Sequence, residues 1–339
     1  MKIAVFAYSR KGCETARLVL DFYQDQECRA YTMARFEEPG FGTIERPSQS
    51  FYGPIFQWAD AMIFVGACGI AVREIAPHVR DKRTDPAVLS VDELRRFVIP
   101  LLSGHIGGAN DLTKELADFL GSTPVITTAT DINKKFSVDA WAAKQGFVIG
   151  NMHIAKMVSA EILEKNVPLC SDFPIITSLP NGVVSGDKGE IGIYVGCSKK
   201  KPFHQTLTLL PKILHLGIGC RRGTPAKTIA EAVDWVLKEN ELDVRAVKCA
   251  VSIDLKQDEE GLLRFCRERG WKISFHSAEE LKTVEGDFTP SEFVKSVTGV
   301  DNVCERAALH GSETLIVKKT ARNGVTVAVA AEALEVRFE

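Results

Sequence analysis

Three times along this chain an apolar run breaks into glycines and then into a helical pattern. The segments are AMIFVGACGIAVREI (61–75), FVIPLLSGHIGGANDLTKELADFL (97–120) and ILHLGIGCRRGTPAKTIAEAVDWVL (213–237). A short continuous apolar run that ends in glycine suits a strand buried on both faces. The 3.6-residue spacing that follows suits a helix with one face on that strand. Strand–loop–helix units in series can bury both elements only as a parallel sheet covered by helices. The repeat therefore restricts the chain to the α/β class.

The rest of the chain fits this frame. Lys2–Tyr8, Ala61–Ala67, Ala87–Val91, Phe97–Leu102 and Pro124–Thr128 read as strands. Glu14–Phe22 reads as a helix, and IAVREIAPHV as another with Pro77 near its end. Asp111–Leu120 places Leu112, Leu116, Phe119 and Leu120 on one face and stops at Gly121. From Asp139 to Phe203 the pattern is less regular, with one helix at Ile154–Glu164 and turn residues at Pro180-Asn181-Gly182 and Ser185-Gly186-Asp187. Lys199-Lys200-Lys201-Pro202 reads as an exposed turn or boundary. A second α/β unit starts near Ile213, with Thr224 as N-cap and Pro225 in the first helical position. It continues through strands at Ala246–Ile253 and Lys272–Phe275, helices at Glu259–Arg269 and Val303–Leu309, and final strands around Leu315 and Val327. The expected organisation is two parallel-sheet α/β domains, 1–138 and 211–339, joined by a smaller, less regular central segment, 139–210.

The totals exclude several functions. The 339 residues carry 42 basic and 44 acidic side chains, a balance unlike the basic excess of a general nucleic-acid binder. The opening MKIAVFAYSRKGCETA has too short an apolar stretch for a secretion signal. No run approaches the roughly 18 apolar residues that cross a membrane. Nine cysteines without a CxxC pair fit reduced thiols, so a cytoplasmic protein is expected. Seven histidines form no HxxxH or HExxH pattern, so no protein-held metal is expected.

In a parallel sheet, ligands sit beyond the carboxyl ends of the strands. Three loops offer suitable groups there: Gly66-Ala67-Cys68-Gly69, the run from Ser103 and Gly104 through His105, Gly107, Gly108 and Asn110, and Gly217 through Gly223. Glycines let backbone N–H groups approach a carboxylate or a developing oxyanion. They also make plain tight turns. None of the three matches a dinucleotide or P-loop pattern. His105 stands out because imidazole exchanges protons near neutral pH, although many histidines are structural. Asn110 and Asp111 also suit helix caps. Lys82 and Asp85 belong to the charged loop VRDKRTDPAV. Arg221 and Arg222 stand at a helix entrance, where they could grip carboxylates or simply be solvated. Lys256, Glu259 and Glu260 could equally serve a helix start.

Several segments together resemble one family. GACGIAVREIAPHVRDKRTDPAVLSVDE, PLLSGHIGGANDLTKELA and TPVITTATD are similar to the amino-terminal region of the CbiG family, the cobalt-precorrin-5A hydrolases of anaerobic cobalamin biosynthesis. GIGCRRGT, SIDLKQDEEGL, SEFV, TGVDNVCERAAL and GVTVAVA resemble its CobE-like carboxyl-terminal region. The resemblance spans about Ile63–Asp131 and Leu216–Ala330. It implies opening of the δ-lactone of cobalt-precorrin-5A and release of the two-carbon unit at C20 as acetaldehyde. It implies no cofactor beyond the cobalt carried by the substrate. The implied partners are that corrinoid and neighbouring enzymes of the pathway, with no nucleic acid and no membrane. His105 is the candidate base, with Lys82 and Asp85 as further catalytic candidates. Candidate substrate contacts are Gly66, Gly69, Ser103, Gly104, Gly107, Gly108, Asn110, Gly217, Gly219, Arg221, Arg222, Lys256 and Glu305. The rival readings are a non-catalytic corrinoid-binding or handover protein and a nucleotide-dependent enzyme on a Rossmann-like sheet.

Overall fold

A computed structural model describes residues 1–338 apart from Lys82, Arg83 and Ile106. The chain divides into two compact units, Met1–Ala140 and Trp141–Glu339.

The first unit holds strands β1 (Lys2–Ala7), β2 (Glu27–Thr32), β3 (Phe41–Thr43), β4 (Ala61–Val65), β5 (Ala87–Val91), β6 (Phe97–Leu102) and β7 (Thr123–Pro124). They form one sheet in the order β3-β2-β1-β4-β5-β6-β7. Helices α1 (Arg10–Phe22), α2 (Ser48–Trp58), α3 (Cys68–Ile75), α4 (Ala109–Leu120) and α5 (Ala129–Ile132) surround it. Side chains alternate across a strand, so each face gathers every second residue. Ile3, Val5, Ile63 and Val65 meet Ala16, Val19 and Leu116 on one face. Ala4, Phe6, Met62 and Phe64 meet Tyr52, Ile55, Phe56 and Ala71 on the other. Both faces are covered, which is why β4 and β5 read as unbroken apolar runs.

The sheet is mostly, not wholly, parallel. β1 to β5 run one way. β6 returns antiparallel to β5, with Val91 opposite Val98 and Val88 opposite Leu102. The reason is length: only residues 92–96 join the two strands, and a parallel crossover needs about a dozen residues or more. Asp92 holds the turn by accepting from the Arg96 and Phe97 amides at 2.7 Å. This reversal matters for the site. It carries the chain after Leu102 to the end where β4 and β5 begin. The Gly66 loop stays at the opposite end, where its amide donates to Val91 O.

The second unit begins within helix α6 (Val138–Lys144). Strands β8 (Val148–Ile149), β9 (Val167–Ser171), β10 (Val183–Ser185), β11 (Ile191–Val195) and β12 (Gln205–Leu210) make a second sheet, ordered β10-β9-β11-β12-β8, packed by α7 (Met152–Glu164). The central segment thus carries a sheet of its own. Its strands are short and separated by turns, which hides the period in the sequence.

The third sheet is ordered β15-β14-β13-β17-β16, from β13 (Leu214–Cys220), β14 (Val247–Ile253), β15 (Lys272–His276), β16 (Thr314–Arg322) and β17 (Val325–Ala331). One face packs on α8 (Ala226–Glu239) and α9 (Glu260–Arg269), through Leu214, Leu216, Ile218, Ile229, Val233 and Phe265. Helices α10 (Ala278–Thr283), α11 (Glu292–Thr298) and α12 (Val303–Leu309) follow β15. Val251, Ile253, Leu281, Val303 and Ala307 form an apolar cluster on this side, and Cys304, Ala308, Ala328 and Ala330 form another. β17 runs antiparallel to both β13 and β16. Asn323 and Gly324 join β16 to β17 with φ of 50° and 76°, the left-handed pair that a two-residue hairpin needs. No described helix is long and apolar enough to cross a membrane.

Candidate active site

The loop after β6 is shaped by its glycines. A Cβ on Gly107 would fall 2.4 Å from Ser103 Cβ, and Gly108 takes φ of 80° as the residue that starts α4. Ser103 itself has φ of 58°, and its Oγ donates to Asp85 O at 3.0 Å. The Gly108 amide donates to His105 O, Ala109 to Ser103 O, and Asn110 to Gly104 O. Three amides expected to cradle an oxyanion are therefore spent in folding the loop. What the fold delivers to solvent is the imidazole.

The His105 ring lies among polar groups from α4, α5 and α6. Its Nε2 is 3.1 Å from Asp131 Oδ2 and 3.0 Å from Thr130 Oγ1. Its Nδ1 is 3.7 Å from Asp139 Oδ1. The side chains of His105 and Asp131 are each 21% exposed, so a ligand can reach both. Asp131 also accepts from Asn110 Nδ2 at 2.9 Å and from Lys114 Nζ at 3.1 Å. Burial acts to raise the Asp131 carboxyl, but the hydrogen bonds from Lys114 and His105 outweigh it and hold that carboxyl below its ordinary range. A carboxylate fixed in this way orients the imidazole and sets which nitrogen carries the proton.

Asp131 and Asp139 did not stand out in the sequence. The sequence reads as a strand over Pro124–Thr128 and assigns nothing to Ala129–Asp131, whereas β7 ends at Pro124 and Ala129 begins a helical turn. Asn110 is not a cap, because Gly108 takes that position without a side-chain bond. Asn110 is 4% exposed and bonds Thr128 Oγ1 and Asp131, so it supports the carboxylate rather than touching a ligand. Asp85 lies at this end of the sheet, but its Oδ2 accepts from the Arg80 amide at 2.8 Å. Lys82 lies outside the described residues. Gly66 and Gly69 do not join His105. From the register, the two loops stand roughly 15 Å apart along the strands.

In the second unit, Gly217 and Gly219 lie inside β13, not in a loop. A Cβ on Gly217 would sit 1.9 Å from Cys304 O, and one on Gly219 2.5 Å from Thr326 Oγ1. They are glycines because α12 and β17 pack there. Glu305 is fully buried and accepts from the Thr289 amide and hydroxyl, Asn302 Nδ2 and the Lys319 amide. It ties α12 to β16 and is closed to substrate. Thr224 does not cap α8: Pro225 holds that position, and Thr224 Oγ1 donates to Arg221 O at 2.6 Å. Arg222 pairs loosely with Asp258 at 3.7 Å in solvent. Lys256 Nζ lies 3.6 Å from Glu259, whose other oxygen accepts from the Gly223 amide. Arg221, Arg222 and Lys256 follow the carboxyl ends of β13 and β14, where ligands are expected.

Comparison with known proteins now bears on this geometry. Residues 50–131 match the family model described as cobalamin synthesis G N-terminal, and residues 214–330 the one described as cobalamin synthesis G C-terminus. A cobalt-precorrin-5A hydrolase of Priestia megaterium is 32% identical over 96% of this chain and 94% of its own length. One of Salmonella typhimurium is 33% identical over 88% of this chain and 89% of its own length. Protein CobE of a Sinorhizobium species is 30% identical over 35% of this chain and 80% of its own length. Near-complete coverage at these identities decides membership: the chain belongs to the CbiG family of cobalamin biosynthesis.

Proposed function

We propose that the chain is a cobalt-precorrin-5A hydrolase that opens the substrate's δ-lactone and releases its two-carbon unit as acetaldehyde, leaving cobalt-precorrin-5B. The supporting observation is the partly exposed His105–Asp131 pair, in a chain of which 96% and 88% align with two curated hydrolases of that name. Nε2–H is donated to Asp131, which leaves the Nδ1 lone pair to take a proton from water. The water oxygen bonds to the lactone carbonyl carbon and the ring C–O bond breaks, giving a carboxylate and a free hydroxyl. That hydroxyl loses its proton and becomes the aldehyde as the bond to C20 breaks. The electron pair passes to the macrocycle, which takes up a proton. Asp131 and Asp139 flank the ring and stabilise the positive charge it gains on taking the water proton.

The cobalt belongs to the substrate, and the reading calls for no resident cofactor. It takes the unit Met1–Ala140, which holds His105, Asp131 and Asp139, to carry the chemistry, and 211–339 as the CobE-like domain. Arg221, Arg222 and Lys256 remain candidate clamps for the acetate and propionate arms. The work is placed in the cytoplasm, beside neighbouring enzymes of the pathway. The test is anaerobic incubation of purified protein with cobalt-precorrin-5A, following acetaldehyde and corrinoid mass. Acetaldehyde with cobalt-precorrin-5B supports the hydrolase. A corrinoid that binds and stays unchanged would replace it with a handover protein.

A further inference from the structure

A recess of about 220 Å³ lies between α2 and the loop that leads into β5. His78, Arg80, Thr84, Gln57 and Asp85 line it. The His78 ring packs over Gly53, where an added Cβ would be 3.0 Å from Cε1. Its centroid is 5.9 Å from that of Phe56. The ring is thus seated, yet its Nε2 is buried with no hydrogen-bond partner among the described residues. A buried ring nitrogen left unmet is costly, and the ring that carries it lines the recess, so a small turn of the ring would bring the nitrogen to a partner there. The recess also shares an end of the first sheet with His105. Asp85 O accepts from Ser103 Oγ, two residues before the imidazole.

We propose that this recess is a second binding subsite, taking one carboxylate arm of the substrate, with His78 as hydrogen-bond donor and Arg80 as counter-charge. The claim rests on the corrinoid reading above and deepens it. A cation fits less well. Among the described residues Asp85 is the one carboxylate lining the recess, and its Oδ2 already accepts from the Arg80 amide. Imidazole, guanidinium, hydroxyl and amide groups supply donors suited to a carboxylate.

The test uses sodium propionate and the full chain, with side-chain nitrogen NMR of the histidines and the His78 signals assigned from His78→Gln. Propionate should move the His78 ring signals saturably, with Kd in the millimolar range. Arg80→Gln, at an exposed position, should weaken binding roughly tenfold. His105→Gln should bind propionate as the wild type does. Unmoved His78 signals, or equal binding by folded Arg80→Gln, would overturn the subsite. Because this readout needs no turnover, propionate binding in a chain that releases no acetaldehyde would refute only the hydrolase reading.

Discussion

Replacing Gly217 by Ala adds one methyl group to the middle of β13, on the face that packs against α12. The new Cβ would lie 1.9 Å from Cys304 O, 2.8 Å from Ala308 N and 3.0 Å from Ala308 Cβ. Two of these are backbone atoms, so no side-chain rotation relieves the contact. Restoring ordinary contact requires strand and helix to part by about 1.5 Å, in an interior packed as densely as a crystal. Parting them strains the hydrogen bond from Cys304 Sγ to Gly217 O and the four bonds that Glu305 accepts. Overpacking costs 1–3 kcal/mol where neighbours can adjust, and here they cannot, so we expect about 3 kcal/mol or more. For a unit of about 200 residues that lowers Tm by roughly 6–12 °C. Gly223→Ala is the control. Its φ is 73° with nothing within 4 Å of the added methyl, so it bears only the left-handed backbone cost of about 1–2 kcal/mol. Thermal melts of the two variants, followed by circular dichroism, decide the matter. A Gly217→Ala shift no larger than that of Gly223→Ala would refute the packing argument and return Gly217 to the candidate ligand contacts.

Glu305→Ala leaves the Thr289 and Lys319 amides and Asn302 Nδ2 without their buried acceptor. It should destabilise by about 3 kcal/mol or more in urea unfolding; unchanged stability with weakened substrate binding would make it a ligand contact after all. Asp131→Asn should reduce kcat by less than His105→Gln does, and its stability deficit should depend on pH. The folded carboxyl of Asp131 is depressed, so its contribution is present above the unfolded value of about 3.9 and is lost as pH falls through the folded value. A gap between wild type and Asp131→Asn that persists unchanged to low pH would contradict this. Burial pushes the Cys197, Cys266 and Cys304 thiols up to about 12. Peptide mapping after alkylation at pH 8 should find these three unmodified until the protein is denatured, and rapid native labelling of Cys304 would contradict its burial.

The α/β class was legible because buried strands and amphipathic helices write different periods into the sequence. Strand direction was less so, although two signals were present. Five residues between Val91 and Phe97 are too few for a crossover, and Asn323-Gly324 is the residue pair of a tight hairpin. Missing the first placed the Gly66 and His105 loops at one end of the sheet, where the structure separates them. Glycine misled for a related reason. The same missing Cβ serves a ligand, a turn or a close helix, and only the position of α12 tells which applies at Gly217. His105 draws notice in the sequence by its place in a glycine loop. Its partner Asp131 lies 26 residues on and meets it through tertiary folding alone. Such a pairing leaves no local spacing to read.

The most direct measurement is single turnover of cobalt-precorrin-5A under anaerobic conditions by wild type and His105→Gln, with acetaldehyde as readout and melting curves confirming both folds. The account predicts acetaldehyde release by the wild type and a loss of roughly 10²–10⁴-fold in the variant, the range for removing a positioned base. A folded His105→Gln protein that releases acetaldehyde at the wild-type rate would contradict it, and the chemistry would have to be sought elsewhere in the chain.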